Sequence, residues 1–369
     1  MVIGIDASRA FLRNRTGIEE YAKQVISHLR GPLRNERVVL YVRKRYLFQG
    51  LKISVILPDI DMDLPASWSV RGLWAPRFWT HVRLSIEMLL HSPDILFVPA
   101  HTVPLIHPTR SFVTVHGLEY EFSKGSYSFW ERIYMRSVIR FSCRAAMGII
   151  SVSENTKRDL IRLYGVSEEK IRVVYEGKPE RRQYVESRES EIEKPYLLFI
   201  GRIEERKNIS RIVEAFGILK GSHGIPHRLI LAGKKGYGYA DIKQAIEVSG
   251  YRGEIVETGY VSEKKKVELL RNADVFLFPS LYEGFGLPVV EAQAAGVPVV
   301  TSRISSLPEI GGMGALYTDP MSVESIADRT WDILSNPGLR DGIIVKGREN
   351  VKRFGWEKCS EEISDLLLR

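Results

Sequence analysis

Short apolar runs rich in Val, Ile, Leu and Phe alternate with stretches whose apolar residues recur every three or four positions. The first pattern predicts buried strands and the second amphipathic helices. Strands are predicted at Val2–Asp6, Val38–Val42, Ile53–Leu57, Asp94–Val98, Phe112–Val115, Gly148–Val152 and Ile171–Val174. Helical patterns fall between them at Gly17–Arg30, Arg77–Leu90, Phe129–Ala146 and Glu154–Tyr164. The periodicity then breaks. Gly177–Lys194 (GKPERRQYVESRESEIEK) is polar and charged, which marks a linker. Alternation restarts with strands at Tyr196–Ile200, Arg228–Ala232, Glu254–Val256, Val275–Phe278 and Pro298–Thr301. Helices are predicted at Ile209–Lys220, Ala240–Ser249, Glu263–Arg271 and Leu287–Ala295, and the tail from about Ser322 reads as helices. The organisation is α/β: a Rossmann-like unit over 1–180, a second over 181–350, and a C-terminal helix over 351–369 packing back on the first. Ligands in such sheets sit at the carboxyl ends of strands, and two units facing each other would place a small-molecule site in the cleft.

Composition narrows the class. Of 369 residues, 44% are apolar and 27% charged, which excludes a disordered chain or a coiled coil. Cys143 and Cys359, the two cysteines, exclude a disulfide scaffold and a four-cysteine zinc site, and fit a reducing compartment. No basic segment followed by a long apolar one opens the chain, and the apolar runs are strand-sized. The expectation is a cytoplasmic protein without a signal peptide or membrane span. The net charge is +8, all of it in the first half: residues 1–180 hold 26 Lys and Arg against 18 Asp and Glu, the remainder 27 against 27. An acidic membrane surface, an anionic substrate or a nucleic acid would each answer that excess, and an ordinary solvated surface accounts for it equally well.

The most informative stretch is FPSLYEGFGLPVVEAQAAGVPVV (Phe278–Val300). A buried strand ends near Pro279, the turn Glu283-Gly284-Phe285-Gly286 follows, and a helix starts near Leu287. Pro288 suits a first helical turn and Gly296 a helix end. The glycines allow close approach of backbone to a ligand, and the helix N-terminus offers amides to an anion. Glu291 falls one turn into the helix, where a carboxylate complements the helix dipole. That explanation covers Glu283 less well. Two carboxylates at one helix N-terminus suit neutral hydroxyls, such as those of a sugar, better than a phosphate.

Glu283 and Glu291 in this setting resemble the signature of retaining, GT-B-fold glycosyltransferases of family 4. The similarity extends to TGIEEYA (Thr16–Ala22), VTVHGL (Val113–Leu118), SVSENTKRDLIRLYGVSEEKIRVVYEG (Ser151–Gly177), GRIEERKN (Gly201–Asn208), ETGYVSEKKKVELLRNADVFLFPS (Glu257–Ser280) and SSLPEI (Ser305–Ile310). It is densest from Tyr196 to about Pro320 and weakest over Arg43–Ser92. The resemblance implies a sugar-nucleotide donor held by the second unit and an acceptor held by the first, with closure about the linker. Arg202 and Lys207 would hold the diphosphate, whereas spacing alone reads Arg202, Arg206 and Lys207 with Glu204 and Glu205 as a surface charge cluster. Asn208 could cap the next helix. The resemblance assigns Glu283 to the donor-sugar hydroxyls and Glu291 to the ribose. Backbone amides of Gly284, Phe285, Gly286 and Leu287 would meet sugar and phosphates, and the base would lie near Tyr260 and Val261.

His116, at the end of a predicted strand, stands where a reactive group belongs in such a sheet; a structural histidine is the other reading. The resemblance implies that it faces the sugar. Gly117 follows it where many relatives carry Asp, and Glu176-Gly177 stands where many carry Asn-Gly. Gly17 would let backbone approach the diphosphate or acceptor, or is an ordinary flexible residue after a cap at Thr16. Arg9, Arg13 and Arg15 precede it and could meet an anionic acceptor or simply be solvated.

Asp59, Asp61 and Asp63 alternate in a way that could hold magnesium or manganese, but they lie far from the donor motifs and read as a polar loop. His223 and His227 have a zinc-like spacing that Gly224 and Pro226 break. No metal and no cofactor is expected, since Arg202 and Lys207 would neutralise the leaving diphosphate. Ser67–Leu90 mixes Trp68, Trp74, Phe78 and Trp79 with Arg71, Arg77 and Arg83. It suits either a helix in a membrane interface, helped by Arg43-Lys44-Arg45, or a helix with its aromatic face on the sheet; the second reading is favoured for the aromatics. Weak peripheral contact with the inner face of the cytoplasmic membrane follows from the positive first unit and from the lipid-linked or cell-envelope glycan acceptors that the resemblance implies. The overall reading is a retaining hexosyltransferase of cell-envelope polysaccharide synthesis, with GDP-mannose favoured over UDP-sugars. Catalytic roles fall to Glu283, His116, Arg202 and Lys207. Rivals are a sugar-nucleotide epimerase or hydrolase, a non-catalytic sugar-nucleotide binder, and a nucleic-acid binder, for which no recognised module is present.

Overall fold

A computed structural model gives the fold and describes residues 1–12, 17–49, 52–74, 79–178 and 193–369. Thr16, Arg13, Arg15, Arg77, Phe78 and most of the expected linker therefore lie outside the described residues. The strands, in chain order, are β1 (Val2–Asp6), β2 (Arg37–Gln49), β3 (Lys52–Ile56), β4 (Trp68–Trp74), β5 (Ile95–Val98), β6 (Arg110–Val115), β7 (Gly148–Ser151), β8 (Ile171–Val173), β9 (Tyr196–Ile200), β10 (Arg228–Ala232), β11 (Ile255–Gly259), β12 (Val275–Phe278), β13 (Val299–Ser302) and β14 (Ala315–Thr318). The helices are α1 (Gly17–Leu29), α2 (Ser85–Leu90), α3 (Glu119–Phe122), α4 (Phe129–Ala145), α5 (Glu154–Tyr164), α6 (Ile209–His223), α7 (Tyr239–Val248), α8 (Glu263–Asn272), α9 (Leu287–Ala295), α10 (Leu307–Gly311), α11 (Val323–Ser335), α12 (Pro337–Asn350) and α13 (Trp356–Leu368).

The chain divides into two compact units. Unit 1 comprises Met1–Leu118, Phe129–Gly177 and Phe354–Arg369; unit 2 comprises Glu119–Ser128 and Lys178–Arg353. Unit 1 is built on a sheet in the order β3-β2-β1-β5-β6-β7-β8, with β4 on β2. Its pairings are parallel except for the β2–β3 hairpin. Unit 2 is a parallel sheet in the order β11-β10-β9-β12-β13-β14.

Strands buried on both faces explain the continuous apolar runs. All five side chains of β9, Tyr196 to Ile200, are buried, as is Val275–Phe278 in β12. Burying each of these large side chains contributes about 1.5–3 kcal/mol before chain entropy is counted. Helix ends obey local rules. Ser153 caps α5 by accepting from the Thr156 amide at 3.0 Å, and Gly165, at φ 64°, ends it. Pro288 sits in the first turn of α9 and Gly296, at φ 77°, closes that helix.

Two segments depart from expectation. The aromatic segment Ser67–Leu90 is not one helix. Trp68–Trp74 is a strand parallel to β2, in register from Val38 opposite Trp68 to Lys44 opposite Trp74, with Trp68 and Leu73 its buried residues. Trp68 donates its indole N–H to the Leu33 carbonyl, and Trp79 donates to Asp6, so both rings belong to the core. Residues 79–84 form a widened helical turn that runs into α2. Likewise β2 runs on through Arg43-Lys44-Arg45, and the Arg43 guanidinium lies over the Trp79 ring, 5.2 Å from its centre. Elsewhere Asp61 pairs with Lys23. His223 ends α6 and stacks on Trp331, while His227 lies 3.6 Å from Asp274.

Candidate functional site

In unit 2 the carboxyl ends of adjacent parallel strands β9 and β12 carry the densest polar chemistry. The loop after β9 holds Arg206 and Lys207, and the loop after β12 holds Glu283. Lys207 and Glu283 are both buried, and the ammonium donates to the Glu283 carboxylate at 2.5 Å. Arg206 lies 3.3 Å from the same oxygen, donates to the Tyr282 carbonyl at 2.6 Å and pairs with Glu204 at 2.8 Å. The Lys207 ammonium also sits 4.9 Å above the Phe278 ring. Backbone ties fix the two loops to each other: the Leu281 amide donates to the Arg206 carbonyl at 2.9 Å.

A third loop, after β13, braces the turn. The Glu283 amide donates to the Ser305 hydroxyl at 3.1 Å. Ser306 donates to the carbonyls of Glu283 and Phe285 at 2.9 and 2.6 Å. Ser305 adopts φ 56°, a costly backbone state for a non-glycine residue, held here by that bonding. Asn208 is a correction to the sequence reading. Its side chain makes no cap bond to α6; at φ 63° the amide instead donates to the carbonyls of Pro279 and Pro320, at 3.0 and 2.7 Å.

Electrostatics follow from this packing. Burial alone would raise the Glu283 carboxyl, but Lys207 and Arg206 overrule it and hold it below the usual carboxylate range. Burial, reinforced by neighbouring Arg206, pushes the Lys207 ammonium down despite Glu283. The cluster is thus a charged carboxylate between two cations, one of them under electrostatic pressure.

Gly286, at φ 113°, turns the chain into α9, whose first-turn amides have no partners within the helix itself. Glu291, one turn on, accepts from Lys266 of α8 at 2.6 Å; Lys266 also pairs with Glu263 at 2.8 Å. Tyr260 is half exposed after β11 with the Lys234 ammonium 4.6 Å from its ring centre, and Val261 packs partly buried on the unit 2 core. Gly284, Phe285 and Leu287 complete the turn around Gly286. Arg202 does not join the Lys207–Glu283 cluster: it is exposed, with its stem beside Gly236.

In unit 1, His116 follows β6, largely buried. Its Nε2 faces the Pro99 carbonyl at 3.0 Å and its Nδ1 faces Glu176 at 3.4 Å. Tyr21 meets the ring edge-on at 4.5 Å and His101 at 5.7 Å. Gly17 opens α1 with nothing within 4 Å of where a Cβ would stand, and Arg9 pairs with Glu19 at 3.3 Å.

Three participants have no assigned role in the sequence reading. Arg206 was visible beside Lys207, but its partner is 77 positions on in sequence. Lys266 is hidden in a run of three lysines, which gives no sign that one of them turns inward. Glu176 was legible only as a departure from the family pattern.

Residues 180–350 match the family described as Glycosyl transferases group 1, and residues 16–179 match Glycosyltransferase Family 4. The chain is 31% identical to O-antigen chain mannosyltransferase B of Escherichia coli, with 94% of each chain covered. Its fold is similar to that of WaaG, a glycosyltransferase involved in lipopolysaccharide biosynthesis (TM-score 0.73, 16% identity, 100% and 99% of the two chains covered). It is also similar to HepE of Anabaena, solved with UDP and glucose (TM-score 0.69, 15% identity, 100% and 99% covered).

Proposed function

From the premise that this chain belongs to the group 1 glycosyl transferases and is a glycosyltransferase, with the GT-B fold, we propose that it is a retaining mannosyltransferase. In this reading GDP-mannose binds unit 2, and unit 1 receives the glycan or lipid-linked acceptor of a cell-envelope polysaccharide. The mannosyl and polysaccharide parts of the reading rest on the Escherichia coli relative, and the choice of GDP over UDP is the part most open to test, since HepE was solved with UDP. The observation that carries the reading is the buried Lys207–Glu283–Arg206 cluster at the strand ends, beside the N-terminus of α9.

The main catalytic demand is negative charge on the departing diphosphate. Lys207, Arg206 and Arg202, with the amides from Gly284 to Leu287, would stabilise it. Glu283, kept ionised by Lys207, would accept hydrogen bonds from sugar hydroxyls; as the phosphates draw Lys207 toward them, that oxygen is released to the sugar. Glu291, oriented by Lys266, would accept from the ribose, and Tyr260 and Val261 would bound the base. No carboxylate is assigned as a covalent nucleophile. The acceptor hydroxyl would attack on the face the diphosphate leaves, and the diphosphate would take its proton. With these cations present the reaction needs no divalent metal, so excess EDTA should leave transfer unchanged; a requirement for added metal ions would overturn that part.

Peripheral membrane contact belongs to the same proposal. Among the described residues no helix is long and apolar enough to cross a membrane. On α4, Phe129 and Trp130 are 67% and 76% exposed, and Arg136, Arg140 and Arg144 are exposed at four-residue spacing along the same helix. Aromatics beside a basic stripe suit an anionic bilayer surface. Flotation with phosphatidylglycerol vesicles, lost in Trp130→Ala, tests it.

The decisive experiment is a thermal-shift screen of GDP-mannose, UDP-glucose, ADP-glucose and dTDP-glucose, followed by NMR of the product. GDP-mannose should raise Tm most, and the product should keep the donor's anomeric configuration. Stabilisation by UDP-glucose alone would reassign the donor, and an inverted product would remove the same-face mechanism.

A further inference from the structure

Two features of the chain meet beside His116 in unit 1. Gly117 follows it, and its φ of 150° is one that L side chains rarely adopt. The neighbouring backbone therefore leaves no easy place for an aspartate beside His116. A carboxylate arrives from elsewhere: Glu176, 60 positions on, places Oε1 3.4 Å from His116 Nδ1. Its backbone is held by the next residue. A Cβ at Gly177 would stand 2.4 Å from Trp356 at the start of α13, so only glycine lets the chain pass there.

We propose that Glu176 is the positioning residue of His116, sharing one proton with Nδ1 and thereby fixing the plane of a ring whose Nε2 is set as a donor by Pro99. The Pro99 carbonyl can only accept, so Nε2, 3.0 Å away, carries hydrogen. The proton between Nδ1 and Glu176 then has two places. On the carboxyl, Glu176 donates to a bare Nδ1; on the ring, Nδ1 donates to a carboxylate. Nε2–H is the same in both. His116 thus carries its hydrogen on Nε2, here given to the Pro99 carbonyl, and does not act as a general base from that nitrogen. This rests on the reading above that His116 faces the donor sugar, and it agrees with a leaving phosphate that takes the acceptor proton.

Both side chains are nearly excluded from solvent, at 9% and 6% exposure. Burial raises the Glu176 carboxyl, and His116 opposes that rise. Among the described residues, the other titratable or charged groups facing the pair include Tyr21 on α1, His101 after β5 with Arg9 beyond it, and Cys359 on α13. Burial keeps Tyr21, His101 and Cys359 uncharged at neutral pH.

The test combines spectroscopy and kinetics on the full chain. In protein labelled with ¹⁵N-histidine, the His116 Nδ1 resonance should lie between the protonated and bare-nitrogen positions, and should move to the bare position in Glu176→Ala. A bare Nδ1 in the parent that does not move overturns the proposal without any assay of transfer. Glu176→Gln, close in shape, should keep its Tm yet lose roughly tenfold in kcat/KM, the size expected for one hydrogen bond to a charged group. Its pH profile should acquire a limb that the parent lacks, and Glu176→Asp should recover part of the loss. In a His116→Ala background, Glu176→Gln should cost nothing further, because the two act as a unit. Full additivity, or a Glu176→Gln profile within twofold of the parent, overturns it. If His116→Ala itself leaves transfer intact, the placement of His116 at the sugar fails, while the spectroscopic result still decides the pairing.

Discussion

A glutamate buried at position 283 keeps its charge because two cations face it. Glu283→Gln removes the acceptor proposed for the sugar hydroxyls, and transfer should fall about ten- to a hundredfold, the worth of a charged hydrogen bond. It also leaves Lys207 beside Arg206 without a counter-charge, so Tm should fall. A Gln variant with parental kcat/KM would take Glu283 out of the mechanism. Because its carboxyl is depressed in the folded state, the stability it contributes is present above the ordinary carboxylate range and lost as pH falls through the lowered value. His101 runs in another window. Burial, helped by His116 and Arg9, pushes its ring down to about 3, and its buried Nδ1 has no hydrogen-bond partner. The unfolded chain binds that proton near pH 6.5 and the folded chain does not, so stability is present above 6.5 and declines toward pH 3. The slope is at most about 1.4 kcal/mol per pH unit. Tm measured from pH 7 to 4.5 should fall less steeply in His101→Phe than in the parent; parallel curves would assign the acid loss to other groups.

At the scale of elements, the loops after β9 and β10 also meet through a glycine contact. A Cβ at Gly233 would stand 1.7 Å from the Gly201 carbonyl oxygen, at φ 154°. Gly233→Ala must push apart the loops after β9 and β10, and it should weaken nucleotide binding together with Tm, because the displaced loop leads to Arg206 and Lys207. The contrasting variant is Asn336→Ala. Asn336 caps α12 by accepting from the Leu339 amide at 3.0 Å, so its loss should cost about 1 kcal/mol in urea unfolding with kcat and KM unchanged. Periodicity made such elements legible: β9, β12, α5 and α9 fall where the apolar pattern and the Gly–Pro signals put them. It misled at Trp68–Trp74, where bulky aromatics suggested a helical stripe but pairing along β2 decided. It could not read Asn208, because a cap and a bridge between two distant carbonyls use the same residue, and only the fold brings Pro279 and Pro320 to it.

On the scale of the whole molecule, the sequence reads as two consecutive halves with a tail, whereas the chain passes between its units at residues 118/119, 128/129, 177/178 and 353/354. Residues 119–128 belong with unit 2, where Phe122 stacks on Tyr282 at 4.4 Å, and no local pattern announces that excursion. The last passage has a testable consequence. In α13, Trp356, Cys359, Ile363 and Leu367 are buried, the Trp356 ring lies 6.0 Å from Tyr21 of α1, and Arg110 donates to the Leu367 carbonyl at 2.9 Å. At about 1.5–3 kcal/mol for each large apolar side chain, their removal approaches the whole stability of an ordinary domain, about 5–15 kcal/mol. A chain ending at Arg353 should therefore lose the cooperative unfolding of unit 1 and, with it, transfer to acceptor. Unit 2 retains its own core, Arg206, Lys207 and Glu283, so calorimetry should still show one transition, and GDP-mannose should still raise its Tm. Parental transfer by the shortened chain would mean that α13 is dispensable to unit 1; loss of both transitions would mean that unit 2 does not stand on its own core. Only the intermediate result fits a donor whose nucleotide is gripped by unit 2.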